Sequence, residues 1–138
     1  MPLARTEYAA FDQLAASTTL SAGDNVLPVL TSAIDGDPTS DGTDNFGATT
    51  SKAGGRFYHA VTANAGSLTK AEVVAATQSG ASAILASGSM AVGAAGALVN
   101  TTAITGLSPS TDYELFYVHV DANGNMSAVA TVGLTTTA

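Results

Sequence analysis

The feature that most limits what this chain can become is the shortness of its apolar runs, each closed within a few residues by a cluster of Gly, Pro, Asn, Asp or Ser. A long amphipathic helix needs apolar positions at i, i+3, i+4 and i+7 over several turns, whereas a half-buried strand needs only a brief alternating or β-branched run between turns. The second pattern dominates. Residues 56–63 (RFYHAVTA) are the clearest strand, rich in aromatic and β-branched side chains. Residues 26–34 (VLPVLTSAI) form another, and Pro28 suits a first or edge strand because proline cannot donate to a ladder. A poorer strand is expected over 46–51, ahead of a Gly54-Gly55 turn, and short strands over 83–86, 90–92, 98–104, 113–120 and 128–135. Residues 35–45 (DGDPTSDGTDN) read as loop. Strands at such turn-punctuated intervals predict an all-β antiparallel sandwich.

Two segments depart from this pattern. Thr69-Lys70-Ala71-Glu72 fits a capping box, in which the Thr hydroxyl and the Glu carboxylate each satisfy an orphan amide of a first helical turn. The spacing predicts one short inserted helix that ends near Thr77, before Gly80. At the other departure, Tyr8, Phe11 and Leu14 fall roughly on one helical face after a Thr6 cap. So short a segment has little to bury by itself and needs a partner surface, either the sandwich or another subunit. The expected organisation is an N-terminal arm over residues 1–25 and a sandwich over residues 26–138.

Length and composition agree with a single domain: 138 residues are enough for one real core. Only 11% of residues are charged, and eleven acids against four basic residues leave a formal charge of −7, with no Lys or Arg after Lys70. A phosphate backbone is repelled by such a surface, so nucleic acid is excluded as a partner. No window approaches the roughly 18 apolar residues of a membrane span, and the N-terminus lacks the apolar core of a signal peptide. These features imply a complete, soluble product made in a cytoplasm, with no membrane partner. Absence of cysteine removes disulfides, thiolate metal sites and cysteine nucleophiles together.

Gly106-Leu107-Ser108-Pro109-Ser110-Thr111-Asp112-Tyr113 resembles the G-L-x-P-x-T-x-Y start of a late strand in fibronectin type III-like domains. The resemblance implies that Tyr113 forms a tyrosine corner, its hydroxyl pinning the preceding loop backbone. Residues 121–129 (DANGNMSAV) are similar to the D-x-x-G-N-x-S turn that joins the last two strands in that family. More narrowly, residues 57–136 resemble modules of tailed-phage virion proteins and some bacterial surface proteins, in which a Y-x-x-V-T-like strand is followed by a helix of the A-E-V type, here Ala71-Glu72-Val73. Their P-x-L-x-S-A start is matched by residues 28–33. Together these cover about four-fifths of the chain. Residues 35–45 are longer than such modules have, and the first 25 residues have no counterpart in them.

Chemistry finds little to work with. His59 and His119 both fall in expected strands, with only Asp121 near in sequence, short of the ligands zinc requires. Each imidazole is expected to bond locally within the sheet. Asp35, Asp37, Asp41 and Asp44 offer the clustered oxygens that calcium wants but not the spacing of a calcium loop, which leaves that loop open as a calcium site; Asp121, Asn123 and Asn125 place Gly124 wrongly for one, and a hairpin turn accounts for this second set. No G-x-S-x-G elbow, phosphate cradle or carboxylate pair with a cleft is present. The expectation is a non-enzyme without cofactor or metal.

Alternation along 113–120 puts Tyr113, Leu115, Tyr117 and His119 inward, with His119 partly buried, and Glu114, Phe116, Val118 and Val120 outward. Three of those outward four are apolar. Either another element of this chain, the arm or the capping-box helix, covers them, or a different subunit does. What the resemblance implies is a virion structural protein: a capsid decoration (cement) protein on the outside of a phage head. It would bind the major capsid protein or another virion protein, with homo-oligomeric contacts in the assembly. The residues expected to make those contacts are Tyr8, Phe11 and Leu14 in the arm and Phe116, Val118 and Val120 on the sheet. A phage tail or fibre accessory, or a glycan-binding host-surface adhesion module, is the alternative.

Overall fold

A computed structural model of the chain describes residues 24–78, 80, 82–100 and 103–138, excepting the side chain of residue 100. The longest strands arise where β-branched and aromatic residues concentrate. These are β5 (Arg56–Ala63) and β8 (Asp112–Val120), which pair antiparallel from Arg56↔Val120 to Ala63↔Tyr113. On their outer sides lie β6 (Ala86–Ala91) and β9 (Ala130–Thr135), giving a four-stranded sheet ordered β6-β5-β8-β9. A three-stranded sheet, β1-β4-β7, comprises β1 (Leu30–Ile34), β4 (Gly47–Thr50) and β7 (Leu98–Asn100). Both sheets are antiparallel.

One hydrophobic core joins the sheets: Ala48 and Val99 from the smaller one meet Phe57, Val61, Leu115 and Leu134 from the larger, with Phe46 among them. The architecture is therefore all-β and sandwich-like, with very little helix. Two hydrogen bonds cross the gap. Tyr117 donates its hydroxyl proton to the Ile34 carbonyl at 2.7 Å, and Thr50 Oγ1 pairs with His119 Nδ1 at 2.6 Å.

The expected parity along β8 is observed, with Tyr113, Leu115 and Tyr117 in the inter-sheet core. Phe116 and Val118 belong to a second cluster on the opposite face of the sheet, with Ala60, Leu68 and Val73. Val73 comes from α1 (Lys70–Ala75), whose capping box is formed: Thr69 Oγ1 accepts from Glu72 N–H, and Glu72 Oε1 accepts from Thr69 N–H at 3.0 Å. The helix stops two residues earlier than expected, because Ala76 turns left-handed at φ 53°.

Three further expectations are corrected. The separate strands expected over 83–86 and 90–92 are one strand, β6, because the Gly88 that reads as a turn sits in register opposite His59. A Cβ there would lie 2.6 Å from His59 Cε1, so glycine makes room for the imidazole. Residues 35–45 are not merely loop: β2 (Asp37–Pro38) and β3 (Thr43–Asp44) form a small antiparallel ribbon, and Thr43 bridges to Ile104. Finally, the first strand begins at Leu30 rather than Val26, although Ser51 still donates to the Val29 carbonyl at 3.0 Å.

Candidate functional site

The end of the sandwich past Val120 is organised by one buried carboxylate. Asp121 Oδ1 accepts from the backbone N–H of Asn123 and of Asn125, both at 2.9 Å, which closes the turn between β8 and β9. Its Oδ2 accepts from Lys52 Nζ at 2.8 Å and from Asn125 Nδ2 at 3.0 Å. Lys52 also donates to both oxygens of Asp24, at 3.0 and 2.8 Å, and to the Val26 carbonyl at 2.7 Å. Asn123 Nδ2 and Asn125 Nδ2 reach Asp24 as well. The ammonium between the two carboxylates, through its hydrogen bond first, holds the Asp121 carboxyl well below the usual carboxylate range and lowers that of Asp24. Those same bonds raise the Lys52 ammonium.

This network fastens the chain at Asp24 to the 121–125 turn. The C-terminus is fastened at the other pole: Thr137 N–H donates to the Thr39 carbonyl, and Ser110 N–H to the Thr137 carbonyl, each at 2.9 Å. There Tyr113 Oη accepts from Ser108 N–H at 2.9 Å, so the side chain pins the loop ahead of its own strand.

Between Asp24 and β1 the chain exposes aliphatic side chains. Val26 is 68%, Leu27 50% and Val29 56% accessible, while Pro28 between them is buried. Residues 27–30 and 128–130 line a groove of about 290 Å³ with no charged side chain in its wall. The wall is built from the segments leading into β1 and β9, the edge strands of the two sheets, and reaches the first residue of each, Leu30 and Ala130. Ile34, Leu85 and Leu98 are further exposed aliphatic side chains, outside the groove.

The residues singled out from sequence are distributed differently from expectation. Phe116 and Val118 are 3% and 0% accessible, buried beneath α1 and the segments flanking it, and Val120 is half-buried. The capping-box helix therefore covers that face, and Phe116 and Val118 have no surface left to offer a partner. Tyr8, Phe11 and Leu14 lie outside the described residues. Thr69, Glu72 and Tyr113 are where their structural roles require.

His119 is fully buried rather than partly so, with Nε2 donating to the Gly54 carbonyl at 2.7 Å and Nδ1 against Thr50. His59 is buried edge-on to the Phe46 ring at 4.9 Å between centroids, and its Nδ1 has no hydrogen-bond partner. Burial pushes its pKa down to about 4. Among the described residues no group of three or more His, Cys, Asp or Glu side chains is placed to hold a metal ion. No helix among them is long and apolar enough to cross a membrane.

The Asp24–Lys52–Asp121 network and the groove both escaped sequence reasoning. Lys52 is 69 positions from Asp121, and nothing local announces the pairing. The aliphatic run 26–30 was visible, but as a strand rather than as an exposed rim. Comparison of the chain with protein-family models, with curated proteins and with solved structures finds no match.

Proposed function

We propose that this chain is a non-enzymatic module of the fibronectin type III-like kind that works by forming protein–protein interfaces, and that its role is to decorate the outside of a phage head. The observation that carries the interface reading is the uncharged rim at Val26, Leu27 and Val29, beside the point where the chain is clamped at Asp24. Each exposed aliphatic side chain buried by a partner contributes on the order of 1.5–3 kcal/mol if burial is complete, and a shell presents many copies of the partner. The decoration role itself rests on the likeness of residues 57–136 to modules of tailed-phage virions, and on an arm that such modules lack.

Co-sedimentation with empty shells of the presumed virion tests it. A fixed ratio to the major capsid protein, lost on Leu27→Asp or Val29→Asp with the fold intact by circular dichroism, is the expected result. A folded chain that ignores shells would overturn the decoration role and move the assignment to a tail accessory or a host-surface adhesion module.

A further inference from the structure

Three of the four edge strands are protected against pairing with another chain. The ladder of β1 shifts register between Thr31 and Ile34, where Ser32 has φ 52°. β7 has only three residues, and β9 lies against β1. Bulges, short strands, proline and charge are the usual guards of an open edge, whose unpaired amides and carbonyls otherwise accept a further strand. β6 has none of them. Its six residues, ASGSMA, pair with β5 without a break from Arg56↔Ala91 to Val61↔Ala86. Among the described residues no strand pairs with its other side. We infer that β6 is a docking edge whose occupant is β6 of a second copy, paired antiparallel about a two-fold axis through Gly88.

Backbone parity makes the pairing feasible. Val92 N–H donates to the Gly55 carbonyl at 3.1 Å, and an antiparallel ladder alternates from there. Met90, Gly88 and Ala86 therefore turn their backbone groups to β5, while Ser87, Ser89 and Ala91 turn theirs outward. The sequence around Gly88 also reads the same in both directions, so a two-fold there sets Ser87 opposite Ser89 of the second copy, and Ser89 opposite its Ser87. Each is an outward-facing backbone pair, and serine hydroxyls directly across a ladder hydrogen-bond to one another. The Arg56 guanidinium donates to Ser89 Oγ at 3.2 and 3.0 Å, which uses the oxygen as acceptor and leaves the Ser89 hydroxyl proton for that contact.

Charge selects this edge for a self-contact. Each copy carries −7, yet the sequence has no charged residue between Glu72 and Asp112, a stretch that includes β6 and β7. Copies that meet here keep their acids out of the seam. Because β6 and β9 are opposite edges of the larger sheet, the seam is separate from the rim at Val26, Leu27 and Val29, and it holds or fails whatever that rim binds. A seam of one short strand is small, so the dimer is a weak one.

Sedimentation equilibrium on the full chain tests this. The apparent mass should climb from 13.6 kDa toward twice that value as concentration rises to about 1 mM. Ser89→Pro removes an outward N–H without touching a bond to β5, and an edge strand tolerates proline there. Ser87→Lys sets a charge in the seam from an exposed position. Both chains, folded by circular dichroism, should stay at the monomer mass, whereas Leu27→Asp should associate as the native chain does. A native chain that remains monomeric at about 1 mM would overturn the inference, and so would a dimer that persists in both β6 variants.

Discussion

Acid should weaken this protein through one histidine, before its carboxylates respond. His59 is 4% accessible, stands edge-on to Phe46, and has an unpartnered Nδ1, so a proton added in the folded state gains a charge without solvation. Burial lowers its pKa from 6.5 to about 4. The unfolded chain then binds more protons than the folded one between those values, and stability must fall as pH falls. The contribution is complete above about pH 6.5 and is lost progressively down to about pH 4. Proton linkage with these two values gives a loss of about 2 kcal/mol at pH 5 and about 3 kcal/mol at pH 4. Asp121 and Asp24 work in a separate window. Their carboxyls are lowered below 3.8, so the stability they supply is lost only as pH drops below that value. Urea unfolding followed by circular dichroism at pH 7 and pH 5, on the native chain and on His59→Leu, isolates the histidine. The native chain should lose about 2 kcal/mol more than the variant between the two pH values. Equal losses would refute the reasoning, and with it the claim that His59 is folded as a neutral, poorly solvated base.

Gly55→Ala should destabilise by about 3 kcal/mol, because its φ is 75° and its Cβ would lie 2.0 Å from the Val120 carbonyl oxygen. Gly54→Ala is the control, with φ 81° and only the Ala122 Cβ at 3.7 Å, and thermal melts should show it much the milder of the two. Thr69→Ala removes one half of the capping box and should cost about 1 kcal/mol in chemical denaturation; no change would mean that packing alone sets the start of α1. Lys52→Met should raise the Asp121 carboxyl toward its ordinary range, visible as an upward move of its carbon-13 titration midpoint, and an unmoved midpoint would show that the asparagine and backbone bonds suffice.

Strands whose pattern is local were legible without coordinates. Residues 56–63 and 113–120 carry enough β-branched and aromatic side chains to be found, and alternation correctly sent Tyr113, Leu115 and Tyr117 inward. What could not be read depends on partners distant in sequence. Ser87-Gly88-Ser89 resembles a turn until His59 is placed across from it. The ribbon of β2 and β3 consists of two-residue strands, too short for any periodicity, and is held in part by the pairing of Thr43 with Ile104, sixty-one positions on. The outer face of β8 posed a choice between an internal and an external cover. Only packing decides it, through Leu68 and Val73 lying on Phe116 and Val118. The candidate site was the least legible part, since Asp24, Lys52 and Asp121 look like unrelated surface charges until the fold brings them together.

The clamp at Asp24 and the anchoring of Thr137 to Thr39 give the molecule a direction. Asp24 sits beside the 121–125 turn and Thr137 beside residues 108–111, separated by the run of β8, about 26 Å for its nine residues. A passenger protein spliced after Ala138 would stand off from the Asp24 clamp by the length of β8, so the sandwich would act as a spacer between the two.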